Sequence, residues 1–100
     1  LYARDLGAHN FGFDAIAVRN AGIDRVRTHL ENGRPVILLI DPSYIYGGIS
    51  GFGHFVVVVG LNDEVIYHDP DVPNGQYMTC NIDTFMEAWT AHGEWMVEVI

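Results

Sequence analysis

Hydrophobic positions along the chain fall into short blocks separated by glycine, proline and polar clusters. The spacing inside each block predicts an element. Val26 and Leu30 stand four apart and Ile23 extends the same face, so Ile23–Asn32 predicts a helix, with Arg25, Arg27 and Glu31 toward water. Gly33 supplies the stop and Pro35 forbids continuation. Pro35–Asp41 is a continuous apolar run rich in β-branched residues, which predicts a strand buried on both faces. His54–Leu61 predicts a second apolar strand, Asn62-Asp63 a hairpin turn, and Val65–Asp69 the returning strand.

The flanking blocks are shorter. In the first stretch, Leu1–Asn20, the apolar anchors Leu6, Phe11, Phe13, Ile16 and Val18 are interrupted by Gly7 and Gly12, and a short helix followed by a loop or strand is expected. Ser43–Gly53 is a loop with four glycines and the aromatics Tyr44, Tyr46 and Phe52. Pro70–Gln76 is a polar loop and Tyr77–Asn81 a short strand. Asp83 is placed to cap a helix running to about Ala91, with Phe85, Met86 and Trp89 as its apolar face. Trp95–Ile100 alternates weakly and closes the chain as a strand. The fold class is therefore α+β, a mostly antiparallel sheet with flanking helices, in one domain over residues 1–100.

Composition narrows the partners. About half of the 100 residues are hydrophobic, so a packed chain is expected rather than a disordered one. The formal net charge is −8 with five Lys and Arg. That balance repels phosphate backbones, so no nucleic-acid partner is expected, and it disfavours anionic membranes; a basic or neutral peptide is compatible with it. The longest apolar runs, Val36–Ile40 and Phe55–Val59, are far short of a membrane span. A single cysteine, Cys80, forms no internal disulfide and leaves the compartment open. The first residue is Leu rather than Met, and a fragment or processed product lacking an upstream part is expected.

Chemistry concentrates in Gly51-Phe-Gly-His-Phe-Val-Val-Val-Val-Gly60 and Val65-Ile-Tyr-His-Asp-Pro-Asp71. With a two-residue turn at Asn62-Asp63, Leu61 stands opposite Glu64 and Val56 opposite Asp69. His54, two residues from Val56, then shares a face with Asp69 as its diagonal neighbour. By the same count Asp71 stands opposite His54, although Pro70 interrupts pairing there. A three-residue turn would put Asp69 on the wrong face. A histidine backed by a carboxylate suits thiol chemistry. An imidazolium stabilises a thiolate and later protonates the leaving amine, while the carboxylate fixes the ring's tautomer and orientation.

These two segments resemble the C39-like peptidases, a branch of the papain-like cysteine peptidases. So do the preceding helix with Asn32-Gly-Arg-Pro-Val-Ile-Leu-Leu-Ile40, and the later Tyr77–Asn81 segment leading into the Phe85…Trp89 helix. The resemblance spans roughly Ile23–Trp89. It implies a papain-like fold whose N-terminal part is missing from this chain, with His54 as the catalytic base and Asp69 as the orienting acid. It also implies a nucleophilic cysteine and an oxyanion-hole glutamine upstream. Cys80 and Gln76 both follow His54, in the wrong order. The implied substrate is a peptide or protein cut after small residues. The missing part would come from an N-terminal segment or a second chain.

Plainer readings stand beside these. His54 can be a half-buried histidine held by a local carbonyl, and Asp69 a turn starter before Pro70. Asp71 reads as a loop residue. Cys80 reads as a small buried hydrophobe. His68 alternates away from Asp69 and no zinc spacing is present, so no metal and no cofactor is expected. The tyrosines and glycines of Ser43–Gly53 are placed to line a cleft beside His54. Two alternatives to peptide hydrolysis remain open: a C39-like module that binds peptides without cutting them, and a papain-like acyltransferase using the same Cys–His pair.

Overall fold

The computed structural model describes residues 15–99. Its elements run β1 (Ala15–Val18), α1 (Ile23–Glu31), β2 (Val36–Ile40), α2 (Ser43–Tyr46), β3 (His54–Leu61), β4 (Glu64–His68), β5 (Met78–Asn81), α3 (Ile82–Thr90) and β6 (Met96–Val99). The six strands form one sheet in the order β1-β6-β2-β3-β4-β5, and each neighbouring pair is antiparallel. The expected α+β plan with an antiparallel sheet is what the chain adopts. The helix expected early in the first stretch lies outside the described residues; within that stretch Ala15–Val18 is a strand.

The expectation that β2 is buried on both faces needs correction. Its residues alternate between fully buried Val36, Leu38 and Ile40 and half-buried Ile37 and Leu39. Val26 of α1 and Phe85, Ala88 and Trp89 of α3 join one core cluster with Val36, Leu38, Ile40, Val56, Val58, Val65, Tyr67 and Met96. Both long helices thus cover the same face of the sheet. Each fully buried side chain of this kind contributes roughly 1.5–3 kcal/mol, so the helix-covered face carries most of the folding drive. Ala15, Val97 and Ile37 form a separate small cluster on the other face.

One cap and one indole hydrogen bond fix the two ends of α3. The residue capping α3 is Asn81, not Asp83: its side-chain oxygen accepts from the backbone N–H of Asp83 at 2.8 Å and of Thr84 at 3.3 Å. Asp83 falls in the first turn, where its charge suits the helix dipole. Beyond the helix, the indole N–H of Trp89 donates to the carbonyl of Trp95 at 2.8 Å, so the largest core side chain leaves no polar atom unpaired as the chain turns into β6.

The β3–β4 hairpin departs from the simple two-residue count. Leu61 pairs with Val65 and Gly60 with Ile66, which leaves three residues at the tip. The next pair is Val58 with Tyr67, then Val57 with His68. Val59 is therefore an extra residue, a β-bulge, and it cancels the one-residue offset of the tip. Beyond the bulge the register is the one a two-residue turn would have given. Val56, Val58, Tyr67 and Asp69 are buried on the helix-covered side, and His54 shares that side by alternation.

Candidate active site

His54 opens β3 and Asp69 directly follows β4, so the sheet itself brings them together at one end. His54 Nε2 lies 2.6 Å from Asp69 Oδ1. The Asp69 side chain has no exposed surface, and that of His54 is only 15 % exposed. The other ring nitrogen, Nδ1, lies 3.2 Å from Oδ2 of Asp71, whose side chain is largely in solvent. The diagonal placement expected from the sequence is realised, and Asp71 faces His54 as well, although by way of the loop rather than by continued strand pairing.

Asp69 is held by more than His54. Its Oδ1 also accepts the backbone N–H of Asp71 at 3.0 Å, and its Oδ2 accepts the hydroxyl of Tyr46 at 2.7 Å. The Tyr46 oxygen lies 2.8 Å from that of Tyr67. Burial pushes the Asp69 carboxyl up, but the donors from Tyr46, His54 and the Asp71 N–H outweigh it and hold the group below the ordinary aspartate range. Burial, together with the neighbouring Tyr67 and Asp69 oxygens, pushes the Tyr46 phenol well above the usual tyrosine range. Burial also raises the Tyr67 phenol.

The loop after Asp69 is folded back on it. Asp69 N–H donates to the Gly75 carbonyl at 2.7 Å, and Gly75 N–H to the Val72 carbonyl at 2.9 Å. A Cβ at position 75 would stand 2.1 Å from the Asp69 carbonyl oxygen, so only glycine fits this approach.

Asp41, at the end of β2, anchors the other wall. Its carboxylate accepts the backbone N–H of Ser43 at 3.0 Å, the Ser43 hydroxyl at 2.7 Å and the backbone N–H of Gly51 at 2.8 Å. The Gly51 contact leads in holding its carboxyl below the ordinary range. Asp41 thereby ties both ends of the segment carrying α2 and Tyr46. The segment expected to be a plain loop thus contains a short helix, and Tyr46 does line the cleft. Pro42, Tyr46, Gly53, His54, Asp69, Asp71 and Val72 line a shallow, open cleft of about 270 Å³.

A larger cleft, about 720 Å³, lies by the loop beyond β4 and is lined by residues including Val57, His68, Gln76 and Tyr77. His68 points there, away from His54, with Nδ1 accepting the Tyr77 N–H at 2.9 Å and its ring edge-on to that of Tyr77. His68 and Asp69 both border this cleft, but the Asp69 carboxylate bonds to His54 rather than to His68, so the smaller cleft, which His54 and Asp69 line together, is the chemical candidate. Cys80 is buried on β5 opposite Val65, toward the hairpin tip and away from His54, and burial raises its thiol. Gln76 belongs to the larger cleft. Among the described residues no three His, Cys, Asp or Glu side chains gather as a metal-holding group, and no helix is long and apolar enough to cross a membrane.

Asp41 and Tyr67 are parts of the site that the sequence does not announce, and Tyr46, expected only as a cleft-lining residue, also bonds to Asp69. Asp41-Pro42-Ser43 carries the one available signal, because an aspartate two residues before a serine N–H is the pattern of an Asx turn.

Set against known proteins, the sequence matches the Peptidase_C39 like family over residues 2–96. No curated protein matches it. Among solved structures, a Bacillus anthracis protein assigned to the C39-like peptidases superposes with a TM-score of 0.71 at 18 % identity, covering 86 % of this chain and 50 % of its own. The chain spans about half the length of that structure, and at this identity the likeness is one of fold.

Proposed function

The chain belongs to the C39-like peptidase family, and on that premise we propose that it is the His/Asp-bearing half of a papain-like cysteine peptidase domain acting on peptides. His54 is the base, Asp69 orients it, and the nucleophilic cysteine comes from outside these 100 residues. The observation that carries this reading is the His54 Nε2–Asp69 Oδ1 contact, 2.6 Å long, with the carboxylate wholly enclosed and the ring lining the smaller cleft.

With Nε2 committed to Asp69, Nδ1 is the nitrogen left for a thiol. Asp69 favours the tautomer with a proton on Nε2, so Nδ1 presents its lone pair to the nucleophile. After taking the thiol proton, the imidazolium is stabilised by Asp69 and returns that proton to the leaving amine of the peptide. The cleft walls from Gly53 and Tyr46 leave room for a substrate backbone beside the ring.

A second reading is a peptide-binding module without turnover. It is favoured by the position of Asp71, whose carboxylate sits at the nitrogen a thiol would need. The test is peptide cleavage by the complete protein. The peptidase reading expects turnover that iodoacetamide abolishes and that falls about a thousandfold in His54→Ala. Peptide binding with no such turnover favours the module. A complete sequence without a cysteine ahead of His54 sinks the peptidase reading outright. Acyl transfer is separated from hydrolysis by product analysis with and without an added amine.

A further inference from the structure

We propose that Tyr46 is a positioning residue, which holds Asp69 in place behind His54 through its hydroxyl and is itself backed by Tyr67. The inference rests on the reading of His54 and Asp69 as base and orienting acid.

Three observations converge on it. First, the two oxygens of Asp69 are served unequally. Oδ1 receives His54 Nε2 and the Asp71 N–H, whereas the Tyr46 hydroxyl is the donor to Oδ2. Without that hydroxyl, a carboxylate oxygen in an enclosed site loses its donor, and the group relaxes by rotating away from His54 or by taking a proton. Second, proton counting orients the whole chain. An ionised carboxylate only accepts, so Tyr46 gives its single proton to Asp69, and the 2.8 Å contact with Tyr67 must have Tyr67 as donor. The relay Tyr67→Tyr46→Asp69 therefore runs in one direction and adds no charge to the site. Third, Tyr46 as a whole residue is 43 % exposed. An aromatic residue so poorly buried contributes little packing, and its hydroxyl is the part that makes specific contacts.

The fold supplies the means. Tyr46 ends the four-residue α2, which Asp41 pins through Ser43 and Gly51. Gly47, at φ 79, turns the chain sharply after it. The seat of this segment is thus transmitted to Asp69 and on to His54. The titratable groups facing Asp69 are His54 from β3, Tyr67 from β4, Tyr46 from α2 and Asp71 from the following loop; Cys80 faces Tyr67 from β5.

The experiment follows the Asp69 carboxyl by ¹³C NMR and the His54 ring protons by ¹⁵N-edited NMR in this chain across pH, with and without Tyr46→Phe, which keeps the ring and removes the hydroxyl. The expected result is an Asp69 midpoint moved upward and a His54 Nε2 proton that loses its strongly hydrogen-bonded, downfield position. Unchanged Asp69 and His54 signals would overturn the proposal. Should Tyr46→Phe not fold, Asp41→Asn frees α2 without touching Asp69, and a smaller shift of the same sign is expected; no shift there overturns it equally. These readouts need no turnover, so they fail or succeed apart from the peptidase reading. In a complete, active protein, Tyr46→Phe should lower kcat about tenfold to a hundredfold with KM within about twofold, and an unaltered kcat speaks against the positioning role.

Discussion

Among the described residues two buried carboxylates each meet a histidine, and they are built differently. Glu98 on β6 receives Arg25 of α1 through two bonds, Nη2 to Oε1 at 2.6 Å and Nε to Oε2 at 3.0 Å, and His29 of the same helix also contacts Oε2. Asp69 receives a phenol, a backbone N–H and His54. The first carboxylate is neutralised by a permanent cation, whereas the second meets only a phenol, a backbone N–H and a histidine ring. At Glu98 the histidine is a third partner to a charge already balanced. At Asp69 the histidine is the one side-chain partner able to carry a positive charge, the others being a phenol and a backbone N–H. A pair built like the first fastens a helix to a sheet, whereas a pair built like the second can cycle a proton.

The sharpest way to break this contrast is to exchange the two histidines for alanine in the complete protein. His54→Ala should reduce peptide turnover about a thousandfold, while His29→Ala should leave it within about twofold, as measured by steady-state kinetics. The next effect is on stability. Arg25→Ala leaves the Glu98 carboxylate, 8 % exposed, with His29 as its remaining side-chain donor. A loss of about 2 kcal/mol is expected by urea unfolding, with the Asp69 NMR signal unmoved.

Acid sharpens the comparison further. Arg25 leads in lowering the Glu98 carboxyl, and the donors around Asp69 lower that group against the cost of its burial. A carboxyl whose folded value lies below its unfolded one adds stability above the unfolded value and loses it as pH falls through the folded value. Unfolding free energy should therefore drop as pH descends from the ordinary carboxylate range to below both folded values. Glu98→Gln should flatten that slope in part, and the remainder should follow the Asp69 and Asp41 titrations, both groups being held below the ordinary range. The smallest effect is expected for Asp71→Asn. With 77 % of that side chain exposed, the change in stability should stay below about 0.5 kcal/mol, and a larger loss would show that Asp71 clamps His54 rather than brushing it.

How much of this was legible depends on sequence distance. β3 and β4 are plain from their apolar blocks, because a hairpin is local, but His54 and Asp69 share a face as counted only because the bulge at Val59 offsets a tip one residue longer than the two-residue turn the count assumes. Asn81 was overlooked as the α3 cap because Asp83, two residues on, has equal capping chemistry and only backbone angles separate them. The burial of β2 was overread because a run of Val, Ile and Leu looks alike whether one face is covered or two. Tyr46 and Glu98 were out of reach for another reason. Tyr46 lies 23 residues from Asp69 and Glu98 lies 73 from Arg25, and their partners are chosen by the sheet order rather than by any spacing along the chain.

The bulge at Val59 makes the β3–β4 hairpin a pair of compensating frameshifts. The tip is one residue longer than a tight turn, the strand holds one residue too many, and the two errors cancel before the chain reaches His54. Shortening the tip alone, or straightening the strand alone, would turn the acid to the opposite side of the sheet from its histidine. Length changes in this hairpin can therefore be tolerated only in matched pairs, and a graft that swaps the tip for a standard two-residue turn must also delete one valine several positions away.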